Sequence, residues 1–156
     1  MTYNSLIRRL GHRRWFAAVG RRLVPLDRWM LDRTGGRWSA VGRHGVPSLL
    51  LTTTGRRSGE PRTTPVLYAR DGDAYVVIGS NWGQQHHPAW SANLLADPRA
   101  TVTIDGISTP VTATLTRGAD RERLWDLLCE LWPAFHTYQE RAADRRIRIF
   151  RLEPVG

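Results

Sequence analysis

Apolar and β-branched residues follow one another or alternate with polar residues in six short segments, as is typical of β-strands. Pro65 in the second segment predicts an edge or a bulge there, because proline cannot donate to a ladder. Asp105-Gly106 is a hairpin signal between the fourth and fifth segments. The predicted strands are SLLLTTT (48–54), RTTPVLYAR (62–70), AYVVIGS (74–80), ATVTIDG (100–106), STPVTATLT (108–116) and RRIRIFRLEP (145–154).

Other segments have a helical period or helix-boundary residues. Asp120 is predicted to cap the helix over residues 121–132, and Pro133 is predicted to separate it from the next. Because few helices lie between the strands, alternating βα units are excluded and a small, mostly antiparallel barrel with helices is favoured. The predicted helices are 4–24, 26–36, 89–97, 121–132 and 134–143.

The length and composition indicate one globular domain. The chain has 156 residues, of which 41% are hydrophobic and 24% charged. No run approaches the roughly 18 apolar residues of a membrane span, and no signal peptide is evident. Cys129 is the single cysteine, so it is interpreted as a small core residue of a cytoplasmic protein.

The net charge of +9 is concentrated at the N-terminus. Residues 1–43 contain ten arginines against two acids, whereas residues 44–156 contain thirteen arginines against twelve acids. We therefore expect a basic helical extension over 1–43 and a barrel domain over 44–156. The helix within residues 1–24 is open to two interpretations, contact with an anionic membrane surface or a solvated helix across the barrel end. A nucleic-acid-binding protein would carry basic residues across the whole fold. Because the surplus charge here is confined to residues 1–43, we do not expect this chain to bind nucleic acid.

A turn between the first two predicted strands carries Arg56 and Arg57 between two glycines, with Arg62 just beyond it. Backbone amides in such a turn can form an anion-binding nest, and guanidinium groups bind phosphate or carboxylate bidentately. The alternative is a polar loop with solvated arginines. The Gly-Lys-Ser/Thr ending of a phosphate-binding P-loop is absent.

Two further segments contain candidate chemistry. Residues 78–90 contain small polar residues at a strand end, and Pro88 is predicted to start a helix whose amides face an anion. His86 and His87 are adjacent and have no Cys, Asp or Glu at a ligand spacing, so no metal site is predicted. In residues 131–140, the spacing of Trp132, Phe135 and Tyr138 places them on one helical face. This aromatic face is open to two interpretations, part of the core or a mobile lid. No G-x-S-x-G motif is present, which argues against a serine hydrolase.

These three segments, LLLTTTGRRSGEPRTTPVLY, VVIGSNWGQQHHPAWSANLLADPRATV and WPAFHTYQERAADRRIRIFRLEP, occur in the order found in one known family. From about Leu26 to Pro154 the chain resembles the deazaflavin-dependent nitroreductases, actinobacterial oxidoreductases that use coenzyme F-420. The resemblance implies a six-stranded split β-barrel of the FMN-binding type, classed as α+β, with an N-terminal helix and peripheral helices.

The resemblance also implies the roles of individual residues. Coenzyme F-420 is a deazaflavin with a phosphodiester and a polyglutamate tail, so its tail is strongly anionic. Trp132, Phe135 and Tyr138 form the implied acceptor site. No single residue is required as an acid or base, and either Ser80 or Tyr138 is the candidate catalytic proton donor. The implied coenzyme-binding residues are Arg56, Arg57, Arg62, Thr63, Thr64, Pro65, Ile78, Gly79, Ser80, Asn81, Ala89, Trp90, Ser91 and Asn93.

By this resemblance the protein is an F-420-dependent oxidoreductase that transfers a hydride to a quinone-like or nitroaromatic acceptor. FMN is the alternative cofactor. The alternative function is a split barrel that binds or carries deazaflavin, FMN, haem or lipid without turnover. The expected location is the cytoplasm, with peripheral contact at the inner face of the membrane as one expectation for residues 1–24.

Overall fold

The computed structural model describes residues 47–156 as six strands and three helices. The predicted extension over 1–43 lies outside these residues, so the two-part division of the chain stays a prediction. The strands are β1 (Ser48–Thr54), β2 (Pro61–Asp71), β3 (Ala74–Ile78), β4 (Arg99–Ile104), β5 (Ile107–Leu115) and β6 (Ile149–Pro154). The helices are α1 (Ala89–Ala96), α2 (Gly118–Leu131) and α3 (Ala134–Ala142).

The six strands form a closed barrel in the order β1-β2-β3-β6-β5-β4. All six neighbouring pairs are antiparallel, which confirms the predicted mostly antiparallel barrel with helices. The β4–β5 connection is the predicted hairpin, since Asp105 and Gly106 both adopt the left-handed backbone with φ of 50° and 79°.

Apolar residues form two cores, one on each face of the strands. The barrel interior is filled from the strands and closed by Trp90 and Leu94 of α1. Helices α2 and α3 cover the outer face of β2, β3 and β6, where Leu128 and Ile149 are buried. Because the residues of a strand alternate between its faces, the same three strands contribute to both cores.

Two predicted boundaries are wrong. The last strand begins at Ile149 rather than at residue 145, because the preceding residues leave the barrel to contact a loop described below. Helix α2 begins at Gly118, so Asp120 lies in its first turn and is not its cap. There the Asp120 carboxylate accepts from Arg123 at 2.8 Å, across one helical turn.

Asp71 joins three elements at the end of β2. Its carboxylate accepts hydrogen bonds from Arg123 of α2 and from Arg151 of β6. These bonds, that from Arg123 first, lower the pKa of Asp71 to about 2. The carboxylate is therefore ionised throughout the ordinary pH range, and it ties α2 to the barrel.

Cys129 is buried in α2, as predicted from its position. Burial, with a smaller effect of Asp126, raises the pKa of its thiol to about 11. The nucleophilic thiolate is therefore scarce at neutral pH, in agreement with the interpretation as a core residue. No helix within residues 47–156 is long and apolar enough to span a membrane.

Candidate active site

The first half of β2 extends beyond its partner β3. Residues 61–67 pair with β1, whereas β3 pairs only with Tyr68–Asp71. No described strand lies on the other side of residues 61–67, which explains how Pro65 is accommodated. By alternation from Ala69 of the outer core, Thr63 and Pro65 lie on the outer face of the barrel. Arg62 and Thr64 lie on the opposite face, so the four predicted residues of this strand are split between two faces.

The turn between β1 and β2 presents three exposed cationic side chains. Arg56, Arg57 and Arg62 are all exposed. Within residues 47–156, no carboxylate oxygen lies within 4.0 Å of their guanidinium nitrogens. The turn also contains the exposed Glu60, which forms no ion pair with these arginines, so residues 55–62 form a locally positive surface with three arginines against one acid.

The backbone amides of this turn are largely engaged within the protein. The amide of Gly59 donates to the carbonyl of Gly55 at 2.8 Å, and that of Gly55 donates to the carbonyl of Glu60 at 2.8 Å. The amide of Glu60 donates to the Ser58 hydroxyl, and that of Arg56 donates to Asn93. The amide nest expected from the sequence is therefore mostly closed, and the guanidinium groups are the donors of this turn that remain exposed.

Asn93 joins the turn to α1. Its Oδ1 accepts from the Arg56 amide at 3.2 Å and from Arg56 Nη1 at 3.1 Å. Its Nδ2 donates to the Thr53 hydroxyl at 3.1 Å. Only 3% of Asn93 is exposed, so in this structure it holds Arg56 in place rather than presenting its own amide to a ligand.

Ser91, in the first turn of α1, is fully buried. Its hydroxyl accepts from Arg148 Nη1 at 3.0 Å. Burial lowers the pKa of Arg148. Arg148 is therefore a half-buried cation near the predicted coenzyme residues, and it is not among the site residues predicted from the sequence.

The loop after β3 has an unusual backbone. Asn81, Trp82 and Gly83 have φ of 45°, 58° and 77°, three left-handed residues in succession. For residues other than glycine this conformation costs about 1–3 kcal/mol each and persists only where surrounding contacts enforce it. The Asn81 side chain donates to the carbonyl of His86 at 2.9 Å, which closes the loop on itself.

Helix α3 packs directly against this loop. A Cβ added to Gly83 would lie 2.9 Å from the backbone of Tyr138 and 2.9 Å from the Cβ of Arg141. Only glycine permits so close an approach of the two backbones. The loop is thus held between α3 and the end of β3, beside the predicted coenzyme residues.

The predicted coenzyme-binding residues divide by exposure. Thr63, Thr64, Pro65, Ser80 and Asn81 are half-buried, and Ala89 is exposed at the start of α1. Five others are buried, so in this structure they support the exposed residues around them rather than presenting their own side chains. These are Ile78, Gly79, Trp90, Ser91 and Asn93.

The three predicted acceptor residues belong to the outer core. Trp132, Phe135 and Tyr138 are all buried, and the Phe135 and Tyr138 rings meet edge to face at 6.1 Å. Burial raises the pKa of the Tyr138 hydroxyl, and a hydrogen bond with Trp132 opposes that shift. The structure therefore places them as core, one of the two interpretations of this face, and their contact with an acceptor stays a prediction.

Arg145 is a second residue of this region that was not predicted from the sequence. It lies between α3 and β6 and is 8% exposed. Its guanidinium donates to three carbonyls of the loop after β3, those of Gly79, Ser80 and Gln84, at 3.0, 2.8 and 3.0 Å. In the sequence it belongs to an alternating Arg-Ile pattern that reads as a strand with solvated arginines, so no local signal marks it.

Comparison with known proteins identifies the family. The family model described as F420H(2)-dependent quinone reductase matches residues 23–154. The chain belongs to this family. An F420H(2)-dependent quinone reductase of Mycobacterium tuberculosis is 38% identical over 142 residues, which cover 89% of this chain and 95% of that protein. The expected class, an oxidoreductase that uses coenzyme F-420, is thereby confirmed, and the actinobacterial relationship agrees with it.

Solved structures of similar sequence have the same fold as this chain. A structure described as an F420-H2-dependent reductase superposes with a TM-score of 0.63 at 34% identity, covering 69% of this chain and 94% of that one. Another structure, described as a domain-swapped dimer, superposes with a TM-score of 0.65 at 32% identity, covering 81% of this chain and 96% of that one. The haem storage protein HutZ of Vibrio cholerae shares only the fold, with a TM-score of 0.54 at 14% identity over 70% of this chain and 82% of that one.

Within residues 47–156 no group of three or more His, Cys, Asp or Glu residues could hold a metal ion. His86 is exposed, and the His87 ring contacts Arg145. The two adjacent histidine side chains therefore lie in different environments.

Proposed function

We propose that this protein reduces a quinone with F-420H2 bound along the outer face of residues 61–65 of β2, its anionic tail held by the turn that carries Arg56 and Arg57. The observation that carries the proposal is the group of three exposed arginines without carboxylate partners, beside the part of β2 that extends beyond β3. Guanidinium groups suit phosphate and carboxylate oxygens, so the residues present fit a coenzyme with a phosphodiester and a polyglutamate tail.

When bound, the reduced coenzyme supplies the hydride. The protein provides alignment: Thr63 and Pro65 give one wall for a flat ring, and Ser80 offers a hydroxyl at the loop after β3. Arg62 is exposed beside the turn, on the other face of β2, and we propose that it also contacts the tail. Such alignment of two reactants removes much of the entropic barrier.

Quinone is the acceptor that we propose, and the nitroaromatic acceptor is the alternative to compare with it. The buried aromatic side chains Trp132, Phe135 and Tyr138 shape the wall of the acceptor site through their packing against the loop. The ring centroids of Tyr138 and Trp82, which is half-buried on that loop, are 6.1 Å apart. Trp82 therefore connects the packed aromatic residues to the loop beside the proposed site.

An Arg56→Ala/Arg57→Ala variant is expected to bind oxidised F-420 at least tenfold more weakly than the wild type, because each lost charge-assisted bond contributes about 1.5–3 kcal/mol. A fluorescence titration measures the affinity. The matched control is Arg70→Ala/Arg117→Ala, which removes the same charge from two exposed arginines outside the turn that likewise have no carboxylate oxygen within 4.0 Å among residues 47–156.

Equal loss of affinity in both double variants would indicate a general charge effect and contradict the proposed tail site. Parallel titrations with FMN and haem test the carrier alternative, as does steady-state oxidation of F-420H2 with menadione. Binding of haem or FMN without turnover of F-420H2 would favour a carrier.

Peripheral membrane contact is a separate proposal that rests on the sequence of residues 1–24. Deletion of these residues is expected to abolish co-sedimentation with anionic lipid vesicles, because their arginines, on the helix predicted from the sequence, would supply the attraction. F-420 affinity of the truncated protein is the control for folding of the barrel. Vesicle binding that survives the deletion would rule out this helix as the contact.

A further inference from the structure

Arg145 is a buried cation with an unusual set of partners. Its guanidinium donates to the carbonyls of Gly79, Ser80 and Gln84, and its Nη1 lies 3.1 Å from Nδ1 of His87. Within residues 47–156 no carboxylate oxygen lies within 4.0 Å of it. All four contacts are to one loop, the segment that joins β3 to α1.

Burying an unpaired charge is costly, and neutral carbonyls compensate only part of the lost hydration. Burial and the nearby Arg148 both lower the pKa of Arg145, as that cost requires. A guanidinium is nevertheless suited to this place, because its planar donors can reach several carbonyls in fixed directions. A lysine at this position could not bind three carbonyls with the same geometry.

The loop needs such a restraint because Asn81 and Trp82 adopt the left-handed backbone. The carbonyls bound by Arg145 lie on both sides of these two residues, so the guanidinium fixes both ends of the left-handed segment. Ser80 and Asn81, two residues predicted to face the coenzyme, lie inside the restrained segment.

We propose that Arg145 is a positioning residue for the reductase reaction, holding the loop after β3 in the shape that aligns the deazaflavin ring with the acceptor. This inference rests on the proposed function. The hold is pH-sensitive through His87. A guanidinium can only donate, so Nδ1 of His87 must be unprotonated and its Nε2 must carry the proton.

The charged groups that face His87 are Arg145, from the segment after α3, and Arg148, from the residue before β6. Burial first, then these two cations, lowers the pKa of His87. His87 is therefore neutral at neutral pH. As the pH falls through its lowered pKa, protonation removes the acceptor of Arg145 and places a third positive charge beside two others, so the loop loses one restraint in acid.

The test compares Arg145→Lys and Arg145→Met with Arg121→Met. Arg121 is the matched control because it is equally buried, 8% exposed, and donates to the Ile147 carbonyl at 2.7 Å, outside the loop. Both Arg145 variants are expected to lower kcat about 10- to 100-fold with a smaller change in the KM for menadione, as for a displaced reacting group. The control is expected to keep kcat within about twofold.

Hydrogen exchange of the peptide covering residues 79–87, measured in the protein without coenzyme, gives a readout independent of activity. Exchange is expected to accelerate in the Arg145 variants and, for the wild type, as the pH falls below neutral after correction for intrinsic rates. His87→Asn keeps an acceptor near the Nδ1 position and is expected to remove that pH dependence.

A wild type that binds and oxidises F-420H2, with Arg145→Lys at wild-type kcat and loop exchange, would overturn this inference alone. A wild type that neither binds nor oxidises the coenzyme would overturn the proposed function, and the positioning role with it. If Arg145→Met does not fold, the lysine variant and the exchange measurement still decide.

Discussion

Gly83→Ala is expected to lower the free energy of unfolding by about 2–5 kcal/mol and to impair turnover. The left-handed backbone at φ 77° costs alanine about 1–2 kcal/mol. The added Cβ would also meet the Tyr138 backbone at 2.9 Å, where no flexible side chain can yield, and overpacking of this kind costs about 1–3 kcal/mol more. Urea unfolding measures the first effect and menadione reduction the second.

Gly72→Ala is the matched control for this experiment. Gly72 has a φ of 61°, and a Cβ there would have no atom within 4 Å. Its replacement therefore costs only the backbone conformation, about 1–2 kcal/mol, and leaves the site unchanged. Equal destabilisation by the two substitutions would show that α3 accommodates the added Cβ at residue 83 without strain, and would contradict the close packing of α3 on this loop.

Substitutions at Asn93 are expected to separate stability from coenzyme binding. Asn93→Ala leaves the buried Thr53 hydroxyl without its partner and releases Arg56, at a cost of about 1–3 kcal/mol in unfolding free energy. Asn93→Asp keeps an acceptor for Arg56, and the Thr53 hydroxyl can rotate to donate to it. The aspartate variant is therefore expected to be within about 1 kcal/mol of the wild type in stability.

The same Asn93→Asp variant is expected to bind F-420 about tenfold more weakly, because its carboxylate neutralises Arg56 in place of the coenzyme tail. Urea unfolding and the fluorescence titration give the two quantities. Leu95→Asp adds the same charge at an exposed position of the same helix and serves as the control. Wild-type affinity in Asn93→Asp would argue against a role for Arg56 in holding the tail.

The strand pattern predicted most of the fold. Alternation between residues 48 and 116 predicts five of the six strands close to their observed bounds, because side-chain burial on two faces imposes a two-residue period. The same rule failed at residues 145–148. There the arginines of an alternating run are not all solvated, since Arg145 turns inward to the loop carbonyls and Arg148 to the Ser91 hydroxyl.

The candidate site was predicted as a set of residues but not as an arrangement. The sequence marks the turn with its arginines, and the structure leaves Arg57 and Arg62 exposed as expected. Whether Asn93 faces a ligand or the protein depends on a contact across 37 residues, with Arg56. No local pattern encodes such a contact, because it arises only when α1 closes the barrel end.

Three segments of the sequence carried the resemblance to the family. Strand periodicity, turn residues and charge, which are local properties of the chain, predicted a mostly antiparallel barrel of about six strands and the location of the cationic turn. Only the tertiary structure decided which polar groups are already paired. Asn93 and Ser91 are occupied by arginines, and the aromatic residues of α3 are core. Arg145 became visible only once the loop and the segment before β6 were together, since a guanidinium acquires its role from the carbonyls that the fold brings to it.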